Sequence, residues 1–420
     1  MFIGVLGYIA TNDLLSASER EQLGTYPPGR AGAPLISNLI KEYIARGHRV
    51  VAITHDPTLN SDEPPFVYEK GLLTYVVVPC RKHTFRPNGR RPGRTFDFYT
   101  FERNQMLAVL QHYKPEFVHA HWTYEFALAA LAYTPDALIT VHDNARVIFK
   151  YVRTLERFFL TLMAWYVYKK GRRFTAVSPY MAKSISDWVG KVPVVVANPV
   201  TIPQRNKLVS KPDHPILTTV VNGWDDRKNC KKALLAFKEI HRLHPNAVLW
   251  AFGTAFEPNK EAVAFCNEHQ IENVVFYGST PHTEVLKKVS ECTVLLHTSL
   301  EESFGMVLAE AMSYGIPVVA GKDSGAVPWV VQDGGILVDV TNVNEIVNAV
   351  HQLISDQTLY ARLANKAIQI IEKRFPIQVI ASQYLGLYQE QTESIHVSNK
   401  LHYDLLDTTK AQTVLPGNLN

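Results

Sequence analysis

Residues 300–317 read LEESFGMVLAEAMSYGIP and place two acidic side chains, Glu302 and Glu310, eight positions apart. A polar stretch that contains glycine leads into strong helix formers, and Gly315 and Pro317 end the pattern, which predicts a short helix. Glu302 is therefore expected at the N-terminus of the helix, where free backbone N–H groups and the helix dipole favour an anion. Glu310 is expected about 12 Å further along, at 1.5 Å per residue.

Two carboxylates that far apart cannot share one proton or hold one metal ion. They suit the two ends of an elongated ligand with an anionic middle, such as a nucleotide diphosphate sugar. The alternative interpretation is a loop acid and an acid on a solvated helix face. The residues that flank Glu310 are apolar, and a buried carboxylate needs a partner, which favours the functional interpretation. These neighbours are Leu308, Ala309, Ala311 and Met312.

Length and composition indicate an ordinary globular protein of two domains. The chain has 420 residues, a length that exceeds what one hydrophobic core usually serves. Of these residues 46% are hydrophobic and 20% are charged, as in ordinary globular proteins. A net charge of +4 and the lack of a nucleic-acid motif argue against a nucleic-acid partner. The four cysteines form no CxxC pair, which indicates neither a zinc site nor a disulfide framework and fits a reducing compartment.

The N-terminus predicts a buried strand and no signal peptide, because residues 1–10 are apolar but short and lack a basic leader. No stretch approaches the length and apolarity of a spanning helix. We therefore expect a cytoplasmic protein.

Short apolar runs alternate with helical patterns in both halves of the chain, which predicts α/β domains with doubly wound parallel sheets. In the first half, Pro34–Arg46 and Val147–Lys169 are expected to be helices. The expected strands are Phe2–Ile9, Val50–Thr54, Tyr75–Val78, Phe117–Ala120, Leu138–Val141, Thr175–Val177 and Val194–Ala197. In the second half, the expected strands are Ile216–Val221, Val248–Phe252, Val274–Phe276, Val294–His297 and Val318–Ala320.

The same pattern predicts the boundaries of the domains. Residues 1–201 form an N-terminal Rossmann-like domain, the proline-rich stretch 202–215 a linker, and residues 216–376 a second Rossmann-like domain. Residues 377–390 form an aromatic amphipathic helix, and residues 391–420 a partly disordered tail. Parallel sheets bind ligands beyond the carboxyl ends of their strands, so we expect the site in a cleft between the two domains.

Three features of the first domain could contribute to this cleft. Gly29 and Gly32 precede a helix, where backbone N–H groups can approach a phosphate, although a plain turn explains them equally well. His142 ends a strand and could donate to a sugar hydroxyl, or serve a structural purpose. His119 and His121 share one face of a strand, but no acidic cluster accompanies them, so no metal site is predicted.

The second domain offers a basic turn, residues 223–229 (GWDDRKN), between a strand and a helix. Lys228, with Arg227 beside it, is well placed to neutralise a departing diphosphate, and a solvated basic turn is the alternative.

Two basic segments each allow more than one interpretation. Residues 81–94 hold six basic side chains and no acidic one, and proline and glycine break any helix there: Arg81, Lys82, Arg86, Arg90, Arg91 and Arg94. This loop could bind an anionic acceptor or a phospholipid surface, or be a solvated charge run. Residues 147–173 combine aromatic with basic residues, as an interfacial helix does, although a core helix with basic ends fits nearly as well.

The chain has no Ser–His–Asp elbow, no Walker A loop and no DxD pair for a metal-bound nucleotide. The block EESFGMVLAEAMSYGIPVVA instead resembles the E-x7-E motif of retaining glycosyltransferases of family 4, which have the GT-B fold. Weaker matches stand in the family's order over residues 1 to 390, and are PPGRAG, RGHRV, KPEFVHAH, VHDN, AVSPYM, ANPV, NGWDDRKN and VFYGS.

The resemblance implies roles for individual residues. Glu302 would face the donor sugar, Glu310 would bond the ribose of the nucleotide, Lys228 would contact the diphosphate, and His142 would reach the sugar near the leaving oxygen. The backbone around Phe304, Gly305 and Met306 would meet the sugar and phosphate. We also assign Ser303, Gly29, Gly32, Gly223, Gly278 and Arg227 to the donor site.

One departure from the family concerns a basic residue. The family has Gly-Arg where this chain has Gly223-Trp224, and the gap to the lysine is one residue shorter. Whether Arg227 replaces the missing arginine stays open at this point.

The resemblance further implies metal-independent transfer with retention, from a nucleotide-diphosphate sugar to a hydroxyl acceptor on a glycan, a lipid-linked compound or a small molecule. No cofactor is expected, and contact with an anionic membrane surface is one further expectation. A nucleotide-sugar epimerase of the same fold and a catalytically silent nucleotide-sugar-binding protein are the alternatives.

Overall fold

The first half of the chain folds around one eight-stranded sheet. The computed structural model describes residues 1–203 and 214–390. The strands are β1 (Phe2–Leu6), β2 (Arg49–Asp56), β3 (Phe66–Lys70), β4 (Leu73–Pro79), β5 (Phe117–His121), β6 (Leu138–Val141), β7 (Arg173–Ala176) and β8 (Val194–Val195). Their order is β3-β4-β2-β1-β5-β6-β7-β8. All neighbours pair in parallel except β3, an edge strand that runs antiparallel to β4 and departs from the predicted all-parallel sheet.

Eight helices connect these strands. They are α1 (Thr11–Leu14), α2 (Ala17–Leu23), α3 (Pro34–Ala45), α4 (Thr100–Tyr113), α5 (Glu125–Tyr133), α6 (Ala145–Tyr151), α7 (Leu155–Lys170) and α8 (Pro179–Val189). The prediction of one helix over Val147–Lys169 was wrong, because α6 and α7 are separate. The Thr154 hydroxyl accepts the N–H of Arg157 and starts a new helix there, as an N-cap residue does.

The second half repeats the plan with a six-stranded parallel sheet in the order β11-β10-β9-β12-β13-β14. Its strands are β9 (Ile216–Val220), β10 (Val248–Phe252), β11 (Val274–Gly278), β12 (Val294–His297), β13 (Val318–Gly321) and β14 (Gly335–Val338). Its helices are α9 (Cys230–Leu243), α10 (Glu261–Glu268), α11 (His282–Glu291), α12 (Met306–Ser313), α13 (Val327–Val331), α14 (Val343–Ser355) and α15 (Gln357–Arg374). The central strands are buried, as expected for strands covered on both faces.

The chain finally returns to the first sheet. Residues 377–390 are helical, and we call this helix α16. The Tyr388 hydroxyl lies 2.7 Å from Nδ1 of His119 and 3.3 Å from the hydroxyl of Tyr43. The Tyr384 hydroxyl lies 3.2 Å from that of Thr140. The last described helix therefore packs on the N-terminal domain with buried, hydrogen-bonded tyrosines.

Most of the predicted linker, residues 204–213, and the predicted tail, residues 391–420, lie outside the described residues. Among the residues that the structure describes, no helix is both long and apolar enough to span a membrane.

The two sheets meet at the edge where ligands bind in such folds. Strand order reverses between β1 and β5 in the first sheet and between β9 and β12 in the second, and ligands bind beyond the carboxyl ends of strands at such switch points. At this edge the Ser178 hydroxyl, at the start of α8, donates to the carbonyl oxygen of Ser303 over 2.7 Å. The cleft is therefore lined by loops that follow the strands of both sheets.

Candidate active site

Glu302 and Lys228 form the centre of the candidate site. Lys228 follows β9 and Glu302 follows β12, the two strands that flank the switch point of the second sheet. The Lys228 ammonium lies 2.6 Å from Oε1 of Glu302, and Nε2 of His297 lies 3.3 Å from the same oxygen. Neither Lys228 nor Glu302 is fully buried, with 13% and 14% of their side chains exposed. The pair is thus held in place yet open to a ligand.

Hydrogen bonds between the two loops fix the position of the pair. The N–H of Leu300 donates to the carbonyl of Arg227 over 2.7 Å, and the side-chain amide of Asn229 donates to the carbonyl of Thr298 over 3.1 Å. The carbonyl of Glu302 accepts the N–H of Ala326 at 2.9 Å. The loops that carry Lys228 and Glu302 are therefore clamped together by their backbones.

Glu302 is an ionised carboxylate. Burial raises the pKa of Glu302, but the Lys228 ammonium and His297 outweigh burial, so its pKa lies well below the usual value. The neighbouring Glu301 has a raised pKa, because burial and the Glu302 charge outweigh Arg227. Glu302 can stabilise a developing positive charge, whereas a group with so low a pKa is a poor general acid.

The helix next to this pair begins later than predicted. Its first residue is Met306, with Gly305 at the N-cap in the left-handed region (φ 87°). Glu302 therefore lies in the loop before the helix and not at the helix N-terminus, because Gly305 is the residue that adopts the left-handed turn. Phe304 is buried against Trp329 and Phe375, so only its backbone can contact a ligand.

Glu310, inside α12, pairs with a histidine that the sequence analysis missed. Nε2 of His282, the first residue of α11, lies 2.8 Å from Oε1 of Glu310. Burial lowers the pKa of His282, but its hydrogen bond to Glu310 and the charges of Glu310 and Asp13 outweigh burial, so the net pKa is raised. Glu302 and Glu310 thus have separate basic partners, as carboxylates at two ends of a site would.

Arg227 lies beside the central pair but is bound to another acid. Its Nη1 lies 3.4 Å from Oε2 of Glu301, and burial together with the nearby Glu301 carboxylate raises the pKa of Tyr180 from the N-terminal domain. Trp224, which stands where the family has arginine, packs edge-on to Phe256 and Phe265. Arg227 therefore follows the position of Glu301, next to Lys228 in the chain and on the side that faces α8.

The two glycines predicted on this side of the cleft have local roles in their turns. Gly223 has φ 93° and donates its N–H to the hydroxyl of Thr254 over 3.0 Å. Gly278 ends β11 with φ 62°, and a Cβ there would lie 2.7 Å from a carboxylate oxygen of Glu257. Both positions require glycine because of their left-handed backbone.

The glycine loop of the N-terminal domain differs from the prediction. The N–H of Gly29 donates to Oδ2 of Asp56 over 2.6 Å, so the group assigned to a donor phosphate is already bonded to a carboxylate. Asp56 ends β2 at the same sheet edge, which is why it reaches the loop. Gly32 (φ 118°) has open space where a Cβ would stand, and it remains available to a ligand.

His142 lies at the cleft end of β6, within a column of rings. Its Nε2 lies 2.9 Å from Nδ1 of His121, and its ring packs on Trp122 with centroids 4.4 Å apart. His119 continues the column, 4.2 Å from His121. Burial lowers the pKa of His142 to about 3, and the nearby Asn198 side chain opposes this only in part. His142 is therefore neutral at pH 7, with one ring nitrogen engaged inside its own domain.

The basic loop is only partly a surface feature. Arg81 is buried, and its guanidinium contacts Asp97 and Glu102 at 2.8 Å each. Its assignment to an acceptor or membrane site was wrong, because the two carboxylates bind it inside the domain. Arg94 also points inward and donates to the carbonyl of Lys82. Arg91 lies over the ring of Phe101, and Lys82, Arg86 and Arg90 are exposed.

The two histidines spaced for a metal site have other partners. His119 lies 2.7 Å from the hydroxyls of Tyr388 and Thr140 through its two ring nitrogens. In the described part of the chain, no group of three or more His, Cys, Asp and Glu side chains is arranged to hold a metal ion.

Comparison with known families identifies the chain. The family described as "Glycosyl transferases group 1" matches residues 202–370, and "Glycosyltransferase Family 4" matches residues 34–202. The chain belongs to the family 4 glycosyltransferases, and its two α/β domains form the GT-B fold.

Individual proteins are similar over different lengths. N-acetyl-alpha-D-glucosaminyl L-malate synthase of Bacillus anthracis is 32% identical over 126 residues, or 30% of this chain and 32% of that protein. Sucrose-phosphate synthase of Thermosynechococcus elongatus superposes with a TM-score of 0.73 at 18% identity, over 94% of this chain and 99% of that one. Anabaena HepE, solved with UDP-glucose, superposes with a TM-score of 0.64 at 17% identity, over 94% of this chain and 100% of that one. The matched segment spans about a third of the curated relative, and the solved structures share the fold.

Proposed function

We propose that this glycosyltransferase moves a sugar from a nucleotide-diphosphate donor to a hydroxyl acceptor, with retention at the anomeric carbon and without a metal ion. The observation that carries the proposal is the ion pair of Lys228 and Glu302 at the switch point, with Lys228 Nζ 2.6 Å from Glu302. The donor class is further supported by HepE, which shares the fold and was solved with UDP-glucose.

Each partner of this pair has its own role in the proposal. Lys228 exchanges part of its contact with Glu302 for the diphosphate, and Arg227 adds a second cation from the neighbouring position. Their charges take the place of a metal ion on the leaving group. Glu302, ionised because of Lys228 and His297, faces the positive charge that develops on the sugar ring. In this proposal Glu302 thus acts through its negative charge.

The displacement takes place on one face of the sugar. The bond between the anomeric carbon and the phosphate oxygen breaks, and that oxygen keeps the electron pair. The acceptor hydroxyl forms its bond to the same carbon from the same face, and its proton passes to the departing phosphate oxygen. No protein base is needed for this step, which accords with the neutral, internally bonded His142. Domain closure would align the two reactants.

Glu310 binds the ribose in this proposal, and His282 orients its carboxylate. One carboxylate oxygen of Glu310 is bonded to Nε2 of His282, which leaves the other for ribose hydroxyls. Glu310 lies on α12 beyond the loop that carries Glu302, so the ribose and the sugar bind at different ends of the site.

The acceptor binds on the N-terminal domain, and we propose a hydroxyl compound, either a glycan, a lipid-linked molecule or a small molecule. The proposal includes peripheral contact of the enzyme with an anionic membrane surface. Partly exposed Tyr8 and Trp122 line the carboxyl ends of β1 and β5, and aromatic rings with polar edges suit a sugar or another ring.

The test is nucleotide release from a panel of UDP-, GDP- and ADP-sugars, with and without candidate acceptors. We expect release from one donor class, unchanged by EDTA, and loss of release in Glu310→Ala. Glu291→Ala, an exposed acid on α11 that pairs with Lys288, is the matched control and should keep full activity. An active Glu310→Ala variant with unchanged KM for the donor would refute the assignment.

Two further readouts separate the alternatives. The anomeric configuration of the product, followed by NMR, distinguishes retention from inversion. An epimerase would convert the sugar nucleotide without an acceptor and release no nucleotide. A silent binding protein would bind the donor and leave it intact.

A further inference from the structure

An apolar face of α7 is open to solvent in the N-terminal domain. Its buried side is formed by Met163, Ala164, Val167 and Tyr168. On the other side, large apolar residues are exposed at a spacing of three or four residues. They are Leu155 (57% exposed), Phe158, Leu162, Trp165 (46% exposed) and Tyr166. A helix that is apolar on both sides is expected to be covered, and exposed apolar surface of this kind marks an interaction site.

Aromatic rings connect this face to the basic loop, which lies some sixty residues earlier in the chain. Phe85 packs on Phe96 at 5.6 Å, Phe96 packs on Phe159 at 5.7 Å, and Phe159 packs on Phe158 at 5.8 Å. Phe149 of α6 continues the row at 6.1 Å from Phe158. The loop and the helix pair thus form one continuous surface, here called the aromatic-basic surface.

The charge of this surface is concentrated and positive. Residues 145–173 hold eight basic side chains and a single acidic one, Glu156, and the loop adds Lys82, Arg86, Arg90 and Arg91 without any acid, since Arg81 and Arg94 point inward. The whole chain has a net charge of only +4, so the rest of the protein is net acidic. Lys169 and Lys170 lie over the rings of Trp165 and Tyr166, at 5.5 and 5.1 Å, and place charges beside the apolar strip.

We propose that the aromatic-basic surface docks on an anionic phospholipid bilayer, with the apolar strip of α7 in the interface and the exposed cations of the loop on the headgroups. This proposal names the partner surface for the membrane contact included in the proposed function. Aromatic and aliphatic side chains rimmed by lysine and arginine are the composition of an interfacial helix. Each cation near such a surface contributes about 1 kcal/mol, or roughly a fivefold change in binding.

The aromatic-basic surface ends at the cleft. Helix α6 starts directly after Asn144, which caps it and follows His142. Tyr151, exposed at the other end of α6, lies near Tyr180, whose pKa is raised by burial and by the charge of Glu301 beside the central pair. Docking through this surface would bring the mouth of the cleft to the level of the lipid headgroups.

The experiment is cosedimentation of the full-length protein with vesicles of phosphatidylcholine, with and without phosphatidylglycerol. We expect binding to the anionic vesicles that falls as salt rises, and little binding to pure phosphatidylcholine. The triple variant K82Q/R86Q/R90Q should bind about 100-fold more weakly, at roughly fivefold per charge. Its matched control, K260Q/K287Q/K373Q, removes three exposed lysines of the other domain and should bind like the wild type.

A second pair of variants tests the apolar strip. Leu155→Ser with Trp165→Ser should lose most vesicle binding, whereas Leu243→Ser, at a similarly exposed leucine on α9 (49%), should not. Circular dichroism and nucleotide release in solution show that each variant is folded. If the wild type does not bind anionic vesicles, or if the strip variants bind as well as their control, the proposal is wrong.

Two other outcomes are informative. A dimer in solution that dissociates on Leu155→Ser would show that a second copy of the chain covers the strip, and would also overturn the proposal. If neither the wild type nor any variant releases nucleotide, but the wild type still binds anionic vesicles, the proposed reaction is refuted and the proposal for the aromatic-basic surface stands.

Discussion

Replacing Arg81 with methionine tests whether this residue belongs to the basic surface or to the core. Its guanidinium makes five hydrogen bonds, two to Asp97, two to Glu102 and one to the carbonyl of Pro92. The Glu102 side chain is fully buried, whereas that of Asp97 is 30% exposed. The variant leaves the Glu102 carboxylate buried without its cation, and the loss of one partner of a buried pair costs about 3–5 kcal/mol.

The expected effect is large enough to measure by calorimetry. For a domain of about 200 residues, each kcal/mol shifts Tm by about 2–4 °C, so the N-terminal domain should melt about 10 °C lower. Arg86→Met, in the same loop but exposed, should change Tm by no more than about 1–2 °C, because surface substitutions stay within about 0.5 kcal/mol. Adding Glu102→Leu to Arg81→Met removes the unpaired charge and should recover part of the loss.

The result also decides the role of Arg81. If Arg81→Met melted within about 2 °C of the wild type while vesicle binding fell, the residue would act at the surface and the ion-pair argument would be refuted.

Three further predictions follow from the site and the histidine column. Lys228→Met should lower kcat for nucleotide release by about 10²–10³-fold through the lost charge on the leaving group, and Lys231→Met, an exposed neighbour, should not. His119 has a pKa lowered to about 3 by burial, so the unfolded chain binds its proton more readily and stability falls as pH drops from about 6.5 towards 3. Between pH 6.5 and 5, this residue should account for about 1.6 kcal/mol of the loss, and urea midpoints of His119→Gln should fall correspondingly less. Tyr388→Phe removes the hydroxyl that contacts His119 and Tyr43 and should cost about 1–3 kcal/mol in the same urea assay, against no change in Tyr151→Phe.

Elements with strong local patterns were predicted well. Strands Leu138–Val141, Val248–Phe252 and Val294–His297 and the second parallel sheet correspond to apolar runs between helical patterns, and their bounds agree with prediction. Helices α4, α5 and α8 were not predicted. In α4 the apolar residues are not gathered on one face, and in α5 they lie on all sides, so neither shows a clear helical periodicity. The edge strand β3 is largely exposed and lacks a buried face that would mark it.

Site residues were predictable where a polar residue ends an apolar strand. His142 was found by this rule, whereas Glu302 and Glu310 were found from their spacing and the family motif, and Lys228 from a basic turn between a strand and a helix. The structure brings Lys228 and Glu302 into contact. His297 ends β12 in the same way and could have been found. His282 could not, because its partner Glu310 is 28 residues away on another helix.

The sequence by itself determined the two α/β domains, the E-x7-E helix and the presence of two basic, aromatic segments, because these depend on local periodicity and on residue type. The tertiary structure alone decided which charges are free. Burial against Asp97 and Glu102 removes Arg81 from the surface, and Asp56 occupies the N–H of Gly29. Contacts between distant segments also join the loop at Phe96 to α7 at Phe159. Whether a charged or aromatic side chain contacts solvent, a ligand or a partner depends on residues far away in the chain. The local sequence therefore does not predict these contacts.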